Sequence, residues 1–206
     1  EKAVPTVAEA TAFIKDAEEK LFQSEMYLER ISWVNNNFIT HDTDLLVAEA
    51  DKEHIEMGVK LAMASKQFQG LELPADLARK FDKLTLALTL PAPEDPAKTG
   101  ELATIKAGLG STYATGKVDM DGESQTLGTV SAMMASDRNP EKLLAGWDGW
   151  RKTSVPMKDN YARMVEIANE GARELGYPDV GAMWRSGYDM EPDAFAAEAD
   201  RLWEQV

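Results

Sequence analysis

Leu143-Leu-Ala-Gly-Trp-Asp-Gly-Trp-Arg151 decides how this chain is read. Its last five residues set two tryptophans and an arginine on about one and a half helical turns. Trp147 and Arg151 are four positions apart, so on a helix they share a face. Gly146 and Gly149 are poor helix formers and invite close approach of a neighbouring element. Two readings stand side by side. One is core packing, with an arginine whose stem snorkels along apolar surface. The other is an anion site, in which a fixed cation with five donors sits beside indole N–H groups.

Outward from this block the same periodicity recurs, and the chain reads as all-α. On the amino-terminal side, Asn139-Pro140 supplies a cap and a proline suited to the first helical position. A further helical segment spans roughly Thr126 to Ser136. Before it, residues 116–124 are polar. Asp119-Met-Asp-Gly-Glu123 lacks the terminal acid of a calcium loop and places its glycine too early, so a solvated loop is expected. Leu102, Ile105, Leu109 and Tyr113 mark another helix, preceded by a connection carrying Pro91, Pro93 and Pro96. Pro74 suits the start of a helix bearing Leu77, Phe81, Leu84 and Leu88. Asp42 or Thr43 is expected to open a long helix with Leu45, Leu46, Ile55, Val59, Ala62 and Met63 on its buried face, closed by Gly70. Thr6-Val-Ala-Glu9 is a capping box for a first helix that runs to about Val34 on Ala10, Phe13, Ile14, Ala17, Leu21, Leu28 and Ile31.

On the carboxyl-terminal side, Lys158 to Leu175 is amphipathic and closed by Gly176. A short piece holds Met183, Trp184 and Tyr188, and Pro192 opens a last helix with Phe195, Ala199, Leu202 and Trp203 on one side. Glu204-Gln205-Val206 supplies no closing glycine, asparagine or basic residue, so a fragment of something longer is expected. The start at Glu1 is read in the same way, as a processed chain whose signal peptide is gone. No repeat with a period of about 20 to 50 residues is present.

Composition narrows the chemistry. A formal net charge of -14 argues against binding nucleic acid or an anionic membrane surface. With 0 cysteines, disulfides, thiolate nucleophiles and iron–sulfur clusters are excluded within the chain. No apolar run reaches the ~18 residues of a membrane span. The histidines are His41 and His54. Neither has a second histidine four residues away, so the His-Glu-x-x-His zinc motif is absent, and both are expected at the surface or at helix ends. No nucleophile elbow, phosphate loop or dinucleotide fingerprint appears. Taken alone, these residues lack the parts of a recognisable enzyme.

Four segments nevertheless carry a resemblance. They are Trp33-Val-Asn-Asn-Asn-Phe-Ile-Thr40, Ala78-Arg-Lys-Phe-Asp82, Leu143 to Arg151, and Asp179-Val-Gly-Ala-Met-Trp-Arg-Ser-Gly-Tyr188. In this order and spacing the chain resembles the amino-terminal part of the angiotensin-converting enzyme family, zinc-dependent peptidyl-dipeptidases. Pro91-Ala-Pro-Glu-Asp-Pro96 resembles bacterial members. The resemblance implies an almost wholly helical ellipsoid with a deep central channel, of which 1–206 is one incomplete region of a larger catalytic domain. Residues 1–92 correspond to lid helices and 93–206 to channel wall. The zinc ligands and catalytic groups are implied to lie downstream, so no catalytic or metal-binding residue is expected in this chain.

The implied activity is release of dipeptides from the carboxyl end of peptides. The implied partners are peptide substrates and the rest of the same polypeptide, in a periplasmic or secreted setting, with no nucleic acid. Trp147 and Arg151 match positions that hold a buried chloride, and Tyr188 matches a position associated with a second. The chemistry is consistent, since a buried Arg requires a counter-charge. The chain departs from animal members in having no cysteine pair near 116–124. A catalytically inactive helical binding module of the same ancestry is the alternative, with Trp147, Trp150 and Trp184 as core or contact residues. A free-standing helical structural protein is the third.

Overall fold

The computed structural model describes residues 5–206; Glu1 to Val4 lie outside the described residues. Two long helices form its first layer. Helix α1 (Val7–Asn37) starts where Thr6 accepts from the Glu9 N–H and Glu9 accepts from the Thr6 N–H at 2.7 Å. Helix α2 (His41–Ser65) follows after three residues and packs back along α1 as a helical hairpin. Its cap is Thr40, reciprocated by Thr43, so the helix begins ahead of the Asp42 or Thr43 expected to open it. The capping geometry, two hydroxyls exchanging bonds with two backbone N–H groups, outweighs the acidic residue as a start signal. A short 3-10 turn (Lys66–Phe68) prolongs α2, and Gly70 then turns the chain at φ 83°. Helix α3 (Ala75–Leu86) crosses both helices and closes an apolar cluster of Ala10, Ile14, Ala17, Leu61, Phe68, Leu77 and Leu84. Phe13, Phe68 and Phe81 meet there with ring centroids 5.3 to 6.0 Å apart.

The opposite face of α2 builds the main core. Helices α4 (Pro96–Ala114), α7 (Lys158–Glu174) and α8 (Val180–Ser186) bring Leu102, Leu109, Met164, Ile167, Ala168, Ala172, Val180 and Met183 against Ile55, Val59 and Ala62. Full burial of side chains such as Leu102, Ile167 and Met183 stabilises by about 1.5–3 kcal/mol each. The connection from α3 to α4 runs through this core, with Leu88, Pro91 and Ala92 buried. Helix α7 admits it at Gly171, where an added Cβ would lie 2.3 Å from the Pro91 carbonyl oxygen.

Residues 117–126 correct the expectation of a solvated loop. Strands β1 (Lys117–Met120) and β2 (Glu123–Thr126) pair antiparallel across Asp121-Gly122. Both turn residues have positive φ, 56° and 80°, as a two-residue mirror-image turn requires. The Asp119 carboxylate closes the turn by accepting from the Gly122 N–H at 3.1 Å. Asp-Gly is the hairpin signal in the sequence. It is masked because β2 is wholly polar and β1 has only Val118 and Met120 to alternate. Val118, Val130 and Trp150 make a third small cluster between the hairpin, α5 (Leu127–Ser136) and α6 (Pro140–Lys152). Last, α9 (Pro192–Trp203) leans on α8 and buries no residue of its own. The fold is all-α apart from the hairpin, and no described helix is long and apolar enough to cross a membrane.

Candidate functional site

Helix α6 begins at Asn139, whose side-chain oxygen accepts from the Glu141 and Lys142 N–H groups at 3.0 and 3.2 Å. Pro140 occupies its first turn, as the sequence indicates. Two chemically different faces follow. Trp150 turns inward, is 8 % exposed, and meets Tyr113 edge-on at 5.4 Å. Both glycines are used by neighbours. A Cβ at Gly146 would stand 2.4 Å from Met133 Cε, and one at Gly149 would stand 2.3 Å from Val118 Cγ1. The hairpin therefore docks directly on the α6 backbone.

Trp147 and Arg151 take the outer face. The Arg151 guanidinium lies over the Trp147 ring, 3.5 Å from its centroid, and Nη1 donates to the Trp147 carbonyl at 3.2 Å. The ring's electron-rich face attracts the cation and fixes its direction. The structure thus brings the two residues together as the four-residue spacing requires. It does not bury them: Trp147 is 46 % exposed and Arg151 is exposed. Burial, on which the need for a counter-charge depends, is not supplied by the described residues.

Tyr188 stands elsewhere. It follows α8, is 62 % exposed, and stacks on Phe195 of α9 with centroids 4.1 Å apart. Helix α6 packs against α5 and β1, whereas α8 packs against α7 and α9, so Tyr188 and the Trp147–Arg151 pair occupy separate parts of the chain. Trp184, one turn before Tyr188, donates its indole N–H to the Thr89 carbonyl at 2.6 Å.

Several polar features escape a reading by periodicity. Asp51, 8 % exposed on α2, accepts from Lys106 of α4 at 2.7 Å through Oδ1, while its Oδ2 is buried without a partner. It borders a cavity of about 300 Å³ between α1, α2 and α4. The only sequence signal is an acid on an otherwise apolar helix face. His54 corrects the expectation of a surface or helix-end residue. It sits inside α2, half-buried, with Nδ1 3.0 Å from Ser24 Oγ and Nε2 3.2 Å from Glu25 Oε2 on α1. His41 does begin a helix and is exposed. Between α4 and α7, Arg163 grips Glu101 with two bonds of 2.7 and 2.9 Å, and Lys98 pairs with Glu170. Donation from Arg163 and from Lys98 holds the Glu101 and Glu170 carboxyls below their ordinary range. Among the described residues no three His, Cys, Asp or Glu side chains gather as a metal site.

Comparison with known proteins gives this arrangement a lineage. A family model described as angiotensin-converting enzyme matches residues 4–206. The chain is 26 % identical to the angiotensin-converting enzyme of Oryctolagus cuniculus over 215 residues, covering 96 % of this chain and 15 % of that protein. With that of Bos taurus it shares 26 % identity over 209 residues and the same coverage. Identity to the Theromyzon tessulatum enzyme is 26 % over 180 residues, covering 84 % of this chain and 29 % of the relative. The chain thus spans only about 15 % of the length of the first of these relatives. A match running through both tryptophan blocks and nearly every described helix shows that the chain belongs to the angiotensin-converting enzyme family.

Proposed function

We propose that these residues form the amino-terminal region of a zinc-dependent peptidyl-dipeptidase, of bacterial type, that releases dipeptides from the carboxyl end of peptides. The observation that supports it is the family match over residues 4–206. In this reading residues 1–92 supply lid helices and residues 93–206 supply channel wall. The partners are peptide substrates and the rest of the polypeptide, outside the cytoplasm. Zinc and the groups of hydrolysis are assigned to the downstream part of the polypeptide, as the resemblance implies, and no step of the reaction is assigned to this chain.

What this chain contributes is positional and electrostatic. Arg151 spends one N–H on the Trp147 carbonyl and keeps its other donors free of the helix. Packing of the downstream polypeptide over this face would bury the guanidinium and leave chloride as its counter-charge, with the Trp147 N–H as a neutral donor. Tyr188 would serve a second anion in the same manner, completed by a downstream cation.

The test is made on the full-length protein. Crystals soaked in bromide should show an anomalous peak beside Arg151, and Arg151→Gln should remove it together with part of the chloride dependence of activity. A variant that keeps the wild-type chloride response would sink the anion assignment. Substituted zinc ligands in the coding sequence beyond Val206 would instead favour the inactive binding module.

A further inference from the structure

The corner that carries Tyr188 is held by a helix from another part of the fold. Arg79 of α3 donates to both oxygens of Asp189, at 2.7 and 3.0 Å. One turn later, Lys83 donates to the Gly187 carbonyl at 2.8 Å and approaches Asp189 Oδ1 at 3.5 Å. The three residues gripped, Gly187-Tyr188-Asp189, have Tyr188 at their centre. Asp189 is also a non-glycine residue in the left-handed region, φ 59°, a conformation that persists only where surroundings fix it. Those surroundings are the two cations, and the Arg79 guanidinium holds the Asp189 carboxyl below its ordinary range.

Apart from these cations, α3 reaches the corner only through Leu86 at its end, which borders the same pocket as Met183, Trp184 and Tyr188. Its apolar face is committed to α1 and α2 through Leu77, Phe81 and Leu84. The corner in turn belongs to α8 and α9. Ionic contacts and the Trp184-to-Thr89 bond therefore add to the Leu86 contact in tying α3 to the corner. Arg79 and Asp189 are 59 % and 58 % exposed, so the contact is screened by salt and can part without opening either core.

We propose that Arg79 and Lys83 are positioning residues for the Tyr188 anion site. They latch the Gly187–Asp189 corner onto α3, so that docking of the corner on α3 and occupancy of the Tyr188 site are energetically coupled. The coupling rests on the assignment of Tyr188 proposed above. The latch itself rests only on the contacts of Arg79 and Lys83. By linkage the effect runs both ways: an anion that favours the latched corner also favours the docked α3.

The test uses the full-length protein as wild type, Arg79→Gln, Arg79→Lys and Asp189→Asn. Hydrogen–deuterium exchange at residues 186–190 is followed, and the half-activating chloride concentration is titrated at constant ionic strength. Arg79→Gln is expected to speed exchange at the corner about two- to fivefold, the range of an exposed ion pair. Exchange in α4 and α7 should be unchanged, and half-activating chloride should rise by a similar factor. Arg79→Lys, which keeps charge but loses the fork, should fall between wild type and Arg79→Gln. Asp189→Asn, which still tolerates the left-handed turn, should match Arg79→Gln. Unchanged exchange at the corner overturns the latch. Faster exchange with an unshifted chloride response overturns the coupling. A wild type indifferent to chloride overturns the anion assignment, and is told apart from failure of the latch because exchange requires no halide.

Discussion

Alanine at Gly171 should destabilise the chain although alanine is the better helix former. Gly171 lies within α7, where the change alone would stabilise by about 1 kcal/mol. The new Cβ, however, would sit 2.3 Å from the Pro91 carbonyl oxygen and 2.6 Å from Ala92 C, both backbone atoms. Ordinary contact begins near 3.4 Å, so α7 and the 91–92 segment must part by about 1 Å. A gap of that size forfeits a quarter to a half of each dispersion well. Over the ~40 contacts of a Leu-sized patch that is about 2–3 kcal/mol. Pro91, Ala92, Ala168 and Ala172 are fully buried at this seam, so no flexible side chain absorbs the strain.

The net expectation is a loss of about 1–2 kcal/mol, within the usual range for overpacking. For a chain of this size that lowers Tm by about 2–8 °C. Urea unfolding should show a lower midpoint with an unchanged slope. Gly108 is the control, since it is helical, exposed, and has nothing within 4 Å of an added Cβ. Gly108→Ala should stabilise by about 0.5–1 kcal/mol. A Gly171→Ala variant as stable as Gly108→Ala would refute the seam and the buried course of residues 91–92.

Two further expectations concern smaller features. Gly122 holds φ 80° in the hairpin turn, so Gly122→Ala should cost about 1 kcal/mol locally and speed amide exchange in residues 118–125; unaltered protection there would remove the turn from the account. The second concerns acid. Glu101, Glu170 and Asp137 have folded-state pKa values below their ordinary ones, owing to Arg163, Lys98 and the Asn139 N–H. Groups of this sign contribute stability that is present above the ordinary carboxylate pKa and lost as pH falls through the depressed folded values. The urea midpoint should therefore hold above about pH 5 and fall below about pH 4, with a shallower fall in Glu101→Gln. A midpoint that rises on acidification contradicts the ion pairs.

The helices were legible because their starts are local events. Thr6 and Asn139 cap with side chains two or three residues from the N–H groups they satisfy, so the signal and its consequence share one short window. The Trp147–Arg151 contact is local in the same sense, with four residues fixing both face and distance. The hairpin was not read, because its amphipathic signal is two residues long and only the Asp-Gly turn announces it.

Which tryptophan of α6 is buried could not be read from spacing, because both glycines and both indoles fit a helix equally well. The arrival of Val118 at Gly149 and Met133 at Gly146 decided it, turning Trp150 inward and leaving Trp147 and Arg151 outside. Likewise Arg79 and Asp189 are separated by 110 residues and look like two unremarkable surface charges in the chain. By itself the sequence determined which segments are helical and which family carries the pattern, but not every buried face, since Leu45 and Leu46 of α2 and Leu202 and Trp203 of α9 stand exposed. Only the tertiary structure decided which polar groups meet, because those pairings depend on how distant helices cross, and no local window contains that geometry.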